Sequence, residues 1–165
     1  MPDKQTIEKA KKDKAEGKSA STQAGEFVHA EMDKIREGEH GARSTKQAIA
    51  IGLSEARRAG VGLKPQAKGK ASEKTRKSEE SAYEKGQRHE PVDQTRSRAS
   101  VKALKKESTD AASPGAISKQ VRTAAQQRSA ASRSASAKQA ARTKGPAERK
   151  AAARKAAKTR GQGGH

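Results

Sequence analysis

Large apolar side chains are scarce in this chain, and their scarcity limits what it can fold into. Leu, Ile, Val and Phe together number 14 of 165 residues, well below the roughly 20% under which a highly charged chain is expected to be disordered. Ordering each residue costs about 1 to 2 kcal/mol of backbone freedom, and Ala, Ser, Lys and Arg bury too little apolar surface to offset it. We therefore predict a mostly disordered, all-α chain with no single core, whose ordered parts are a short αα-hairpin and isolated helices.

Positive charge is concentrated toward the C-terminus. The 38 Lys and Arg and 19 Asp and Glu give a formal net charge of +19. Residues 1–64 have a net charge of +3 and residues 65–110 of +4, whereas residues 111–165 hold 13 basic and one acidic side chain, net +12. This layout is typical of a basic arm on a nearly neutral module, and nucleic acid is the usual partner of such an arm.

Two segments with helical apolar spacing predict an αα-hairpin over residues 23–60. Gly38 and Gly60 are predicted to end its helices. Before the second helix, Ser44 and Gln47 form a capping-box pattern, in which the Ser44 hydroxyl accepts from the Gln47 N–H and the Gln47 side chain returns to the cap. So small a unit seldom has enough core to be stable alone, so we expect self-association or a protein partner. The predicted hairpin contacts are Phe27, Val28, Met32, Ile35, Ile49, Leu53 and Ala56.

The segments around the hairpin are predicted to lack a core of their own. Residues 1–22 are interpreted as a polar leader, and residues 61–112 as a charged linker with weak helices. Within this linker, residues 95–107 have the pattern of a short basic helix with Val101 and Leu104 on one side. That stretch is too short to persist unaided.

Residues 113–165, termed the basic tail below, have a low-complexity, Ala-rich and cationic composition. Ser113 and Pro114 predict a helix start, and Gly145 and Pro146 predict a stop and a restart. We expect helix formation in this tail to be coupled to binding, because bound phosphates would relieve the repulsion among its cations. The predicted polyanion-binding residues are Lys119, Arg122, Arg128, Arg133, Lys138, Arg142, Lys144, Arg149, Lys150, Arg154, Lys155, Lys158 and Arg160.

Non-specific binding of the duplex DNA backbone is the function predicted for the basic tail, in a nucleoid-associated or histone-like accessory role. Phe27 and Tyr83 lie outside the tail, so it has no aromatic ring on which unpaired bases can stack, which favours duplex DNA over RNA loops. Two alternatives stay open: a hydrophilin-like stress or desiccation protectant, and an RNA- or ribosome-associated protein. A charged tail that only aids solubility is the simplest reading of such a run.

No catalytic, cofactor or metal site is predicted. The chain has no Cys and four His, and the His29 and Asp33 pair, four residues apart, is a weak zinc signal without a third ligand. The longest apolar run, residues 48–53, is too short to cross a bilayer, and the first residues lack the apolar stretch of a signal peptide. We expect a non-enzymatic, cytoplasmic protein, located at the nucleoid, without a membrane partner.

The stretch STKQAIAIGLSEARRAG, residues 44–60, resembles the signature of a small bacterial family of unknown function, (S/T)-(R/K)-K-Q-A-I-A-I-(A/G)-L-S-E-A-R. The preceding VHAEMDKIREGEH resembles that family's V-M-H-E-F-K-x-G segment, with an extra residue between His29 and Glu31. The resemblance covers about residues 23–64 and implies no activity, because the family has none established. In composition alone, the basic tail resembles the Lys/Ala-rich tails of bacterial histone H1-like proteins.

Overall fold

The structure is a computed structural model that describes residues 3–162, apart from the side chains of residues 140, 143, 144 and 159–162. The described residues contain no β-strand. They fall into two compact units, residues 1–120 and 121–165, termed the first and second unit below. In chain order the helices are α1 (Lys4–Ala15), α2 (Ala20–Arg36), α3 (Thr45–Arg58), α4 (Glu73–Gln87), α5 (Gln94–Leu104), a 3-10 helix (Thr109–Ala112), α6 (Pro114–Gln126) and α7 (Ala130–Gln162).

The prediction of a mostly disordered chain with no single core is wrong, because most of the described residues are helical and the first unit is compact, with helices packed around two apolar clusters. Eight of the twelve buried apolar residues in the described part are Ala, a residue that a count of large side chains ignores. Short side chains let helix backbones approach closely, so a dense core forms from a small apolar inventory. The Phe27 cluster consists of Ala10, Ala24, Phe27, Ala56 and Val61. The Met32 cluster consists of Met32, Ile35, Ala42, Ala48, Ala111 and Ala112.

Neighbouring helices pack on one another in the first unit: α1 on α2, α2 on α3, and α3 on α4. The hairpin expected over residues 23–60 is therefore present as α2 and α3, and it forms the centre of a larger unit. Residues 1–22, expected as a polar leader, contain α1, which contributes Ala10 to the Phe27 cluster. The 3-10 helix packs on α2 and α3 and closes the Met32 cluster.

The helix boundaries of the hairpin follow side-chain and glycine signals in the sequence. The Ser44 hydroxyl accepts a hydrogen bond from the Gln47 N–H at 3.2 Å and caps α3. The Gln47 side chain returns one residue further than the capping-box pattern predicts, because its Oε1 accepts from the Arg43 N–H at 2.8 Å. Gly38 (φ 79°) and Gly60 (φ 86°) adopt the left-handed conformation at the predicted helix ends.

Two glycines allow helices to touch through their backbones. A Cβ atom on Gly52 of α3 would lie 2.7 Å from the Val28 Cα of α2, and a Cβ atom on Gly86 of α4 would overlap the Arg57 carbonyl of α3. Ordinary carbon contacts are about 3.5 to 4.0 Å. Only glycine therefore fits at these two crossings.

An ion pair links α4 to α3, in a segment expected to be a linker. Arg57 Nη2 lies 3.3 Å from Glu79 Oε1, and the two side chains are 5% and 11% exposed. Arg57 Nε also donates to the Leu63 carbonyl at 3.2 Å, so one guanidinium group connects both helices and the intervening chain. Residues 61–112 thus contain α4, α5 and the 3-10 helix, and they contribute to the first unit.

Hydrogen bonds from the hairpin hold the 3-10 helix in place. The Thr45 hydroxyl donates to the Ala111 carbonyl at 2.6 Å, and Arg36 Nε donates to the Ala112 carbonyl at 3.1 Å. These bonds satisfy carbonyl groups that burial would otherwise leave unpaired. The buried Ala111 and Ala112 side chains can therefore complete the Met32 cluster.

The predicted start and stop signals of the basic tail coincide with the start of α6 and with a kink inside α7. Ser113 Oγ accepts from the Ala116 N–H at 3.3 Å, and α6 begins at Pro114. Within α7, Gly145 has non-helical angles (φ 64°, ψ 170°) just before Pro146, so the helix is kinked there. Among the described residues, no helix is both long enough and apolar enough to cross a membrane.

Candidate nucleic-acid interface

The structure places the predicted polyanion-binding residues along α6 and α7. Lys119 and Arg122 lie on α6, Arg128 lies between the two helices, and the remaining residues lie on α7. Those whose side chains are described are all exposed. Lys144 and Arg160 fall outside the described side chains. The tail is helical over Pro114–Gln126 and Ala130–Gln162.

Helical spacing gathers cations on shared faces of α7. Lys150, Arg154 and Lys158 are at positions i, i+4 and i+8, so they lie on one face over about 12 Å of helix axis. Lys138 and Arg142 are likewise four residues apart, before the kink. α7 therefore carries a row of three cations after the kink and a pair before it, each on a shared helix face.

The acidic side chains of the tail are too few to neutralise its cations. Glu148 is the only Asp or Glu in residues 113–165, so the tail can form few ion pairs of its own. Three arginines of the second unit instead donate to uncharged acceptors: Arg128 to Ser136 Oγ at 2.9 Å, Arg133 to the Ala125 carbonyl at 3.5 Å, and Arg149 to the Gly145 carbonyl at 3.2 Å. The tail therefore retains its net charge of +12.

The seven residues expected to make contacts in the hairpin lie in or against the two apolar clusters. Phe27 and Ala56 belong to the Phe27 cluster, and the partly buried Leu53 packs against it. The other four, Val28, Met32, Ile35 and Ile49, belong to the Met32 cluster or pack against it. Because α1, the 3-10 helix and the segment after α3 supply the rest of these clusters, the hairpin buries its apolar faces within the first unit and does not require a partner for that purpose.

A buried carboxyl group on α2, close to His40 of the α2–α3 loop, has no distinctive pattern in the sequence. Glu31 is 1% exposed, and its Oε1 lies 3.6 Å from His40 Nε2. Burial raises the pKa of the Glu31 carboxyl. The nearby His40 and Lys34 lower this pKa, and the negative charge of Glu55 raises it further. Glu31 Oε1 is buried without a hydrogen-bond partner among the described residues. The group is therefore a source of pH-dependent stability.

The weak zinc signal at His29 is an ordinary surface pair in the structure. His29 Nδ1 lies 2.8 Å from Asp33 Oδ2, and the side chains are 76% and 39% exposed. Asp33 also accepts from Arg36 Nη1 at 3.0 Å. Across the part of the chain that the structure describes, no group of three His, Cys, Asp or Glu side chains is placed to hold a metal ion.

The fold and the interface define an all-α protein with a compact helical unit followed by a cationic helical tail. Residues 4–68 match the model of a family of unknown function (DUF6496), which confirms the resemblance to such a family seen in the sequence. The match begins at α1, ahead of the hairpin that carries the resemblance, and ends before α4. No curated protein and no solved structure matches the chain.

Proposed function

We propose that this chain binds duplex DNA without sequence preference through its basic tail, in a histone-like accessory role at the bacterial nucleoid. One observation carries this proposal: thirteen cations against a single acidic side chain in residues 113–165, exposed wherever the side chain is described. Such a surface binds phosphates by releasing the counterions that surround DNA. The released counterions provide the favourable free energy, and no base needs to be read.

The helical form of the tail supports binding along a phosphate backbone. Duplex DNA presents about one negative charge per 1.7 Å of axis, so the 12 Å or so between Lys150 and Lys158 faces several phosphates at once. A preformed helix also loses less conformational entropy on binding than a disordered tail would. Long Lys and Arg side chains can adjust individually to the groove that lies beneath them.

The aromatic residues favour duplex DNA over single-stranded nucleic acid. Phe27 is 1% exposed inside the first unit, and Tyr83 lies on α4. Neither ring is in the basic tail, where it would have to stack on unpaired bases. The proposal therefore concerns the regular backbone of a duplex.

A charge-neutralising variant tests the tail directly. Lys150, Arg154 and Lys158 are replaced together by Gln, which keeps high helix propensity, and binding to a labelled DNA duplex is measured by fluorescence anisotropy. Each lost phosphate contact costs about fivefold in affinity near 0.15 M salt, so the triple variant is expected to bind about a hundredfold more weakly.

The matched control is the Lys11→Gln/Lys74→Gln/Lys77→Gln variant, which removes the same charge from exposed positions of α1 and α4. It is expected to change affinity by no more than about threefold, because exposed charges that make no phosphate contact are largely screened. Equal losses in both variants would contradict a binding site on the tail. Tighter binding to single-stranded RNA than to duplex DNA would favour an RNA-associated role instead.

A further inference from the structure

A second cationic surface lies on α5 and the turn that follows it, in the first unit. The stretch from Gln94 to Lys106 contains five basic residues and no acidic one. Four of them lie at positions i, i+4, i+7 and i+8, which places them along one side of the helix. This set, termed the α5 stripe below, consists of Arg98, Lys102, Lys105 and Lys106, all exposed.

The helical path continues through Lys105, and Lys106 lies in the turn that follows. Lys105 has helical backbone angles (φ −62°, ψ −14°), and its N–H donates to the Val101 carbonyl at 2.9 Å. The Lys106 N–H donates to the Ala103 carbonyl at 3.2 Å. Arg98, Lys102 and Lys105 therefore follow one helical path, and Lys106 adds a fourth cation in the turn directly after it.

The acidic residues that flank the stripe have other partners. Asp93 accepts from the Arg96 N–H at 3.0 Å as the cap of α5, and Glu107 faces Arg43 at 3.7 Å. Asp110 accepts from the Ser108 hydroxyl at 2.7 Å. Within residues 3–162, no hydrogen bond or ion pair to the four cationic groups of the stripe is found. Their charge is thus uncompensated by the fold.

Two backbone hydrogen bonds join the C-terminal end of α5 and the turn after it to the α2–α3 loop of the first unit. The Gly41 N–H donates to the Leu104 carbonyl at 3.0 Å, and the Ala42 N–H donates to the Ser108 carbonyl at 2.9 Å. A Cβ atom on Gly41 would overlap the Glu107 carbonyl, so the α2–α3 loop lies directly against the end of the stripe. Ala42 is part of the Met32 cluster, and the stripe is therefore connected to the core.

We propose that the α5 stripe is a second site for the phosphate backbone of duplex DNA, built into the first unit and separate from the basic tail. The span from Arg98 to Lys105 is about 10.5 Å, which corresponds to about three phosphates of one strand at 3.4 Å each. This inference rests on the proposed function in one respect, which is that duplex DNA is the partner in both. When one site has bound a DNA duplex, the second site on the same chain meets that duplex at a raised effective concentration.

The experiment compares the salt dependence of DNA binding for four full-length proteins: wild type, the Arg98→Gln/Lys102→Gln/Lys105→Gln variant, the Lys150→Gln/Arg154→Gln/Lys158→Gln variant, and the Lys11→Gln/Lys74→Gln/Lys77→Gln control. The probe is a DNA duplex of about three helical turns. Circular dichroism verifies that each variant keeps its helix content. Loss of three phosphate contacts is expected to make the log–log salt slope shallower by about 2.7 in the stripe variant, and by less than about 1 in the control.

The outcomes separate this inference from the proposed function. If the stripe variant has the slope of the control while the tail variant has a shallower slope, the α5 stripe is only a solvated face and the inference is overturned. If the stripe variant is shallower and the tail variant is not, the inference stands and the proposed role of the tail fails. A wild-type protein that does not bind the duplex overturns both.

Discussion

Replacement of Gly52 by Ala tests the close crossing of α2 and α3 on which the core of the first unit depends. The added Cβ would lie 2.7 Å from the Val28 Cα, 2.9 Å from the Val28 N and 3.0 Å from the Phe27 carbonyl oxygen. All three are backbone atoms, so no side-chain rotation relieves the overlap. The helices must separate by about 1 Å to restore ordinary contact, and this separation loosens both apolar clusters.

The expected change in the free energy of unfolding follows from two opposing effects. Overpacking a dense core by one methyl group costs about 1 to 3 kcal/mol, and a clash with backbone lies at the upper end of that range. Ala has a higher helix propensity than Gly and returns up to about 1 kcal/mol. Gly52→Ala is therefore expected to destabilise the first unit by about 1 to 2 kcal/mol.

Gly25→Ala is the matched control, because Gly25 is an exposed position of α2 where an added Cβ meets nothing within 4 Å. Only the propensity effect remains there, so this variant is expected to gain about 0.5 to 1 kcal/mol. Urea unfolding followed by the fluorescence of Tyr83, the only Tyr in a chain without Trp, measures the first unit selectively. Equal stabilisation by both variants would refute the close crossing.

Three further substitutions, one of them a control, test polar groups of the first unit by the same urea assay. Glu79→Ala leaves the buried Arg57 without its charged partner and is expected to lower the free energy of unfolding by about 3 kcal/mol. Glu84→Ala breaks the exposed pair with Arg88 and should lower it by at most about 0.5 kcal/mol. Similar losses in the two variants would contradict a stabilising role for the buried ion pair. Burial raises the pKa of Glu31 above its ordinary value of 4.5, so the folded state keeps the carboxyl proton up to a higher pH than the unfolded state does. The contribution of Glu31 to the free energy of unfolding therefore falls as pH rises above about 4.5. Glu31→Gln should therefore gain most over wild type at pH 8 and least near pH 4, and a pH-independent difference would count against a raised pKa.

The sequence predicts helix ends well where one residue supplies the signal. Ser44 and Ser113 mark the starts of α3 and α6, because a short hydroxyl side chain can bond a free backbone N–H. Gly60 and Gly145 mark an end and a kink, because each has a positive φ. These features are local, so they require no knowledge of what packs around them.

The sequence does not predict how the segments pack, because that packing depends on small residues far apart in the chain. Ala111 is buried and bonded to Thr45 across 66 positions, yet an Ala in an Ala-rich stretch has no pattern that separates it from an exposed one. In the sequence, Gly86 has the pattern of a flexible linker, but in the structure it lies directly against the Arg57 backbone of α3. Counting large apolar residues therefore underestimates the core.

The candidate interface likewise has one part that the sequence predicts and one part that depends on the fold. The charge of the basic tail can be read directly from composition, and the expected cations are exposed wherever they are described. The α5 stripe has a recognisable basic pattern, but the sequence does not show the Gly41 and Ala42 hydrogen bonds that join the end of α5 to the α2–α3 loop. Fixed cations lose less entropy on binding than those on a loose linker.

The salt dependence of duplex DNA binding tests the role of the basic tail most directly. Two full-length proteins are compared over a range of salt concentrations: wild type, and a variant in which eight tail cations are replaced by Gln. If these eight neutralise phosphates, their loss should make the log–log slope shallower by about 7. A change of less than about 2, with helix content retained, would contradict DNA binding by the tail. The eight residues are Arg133, Lys138, Arg142, Arg149, Lys150, Arg154, Lys155 and Lys158.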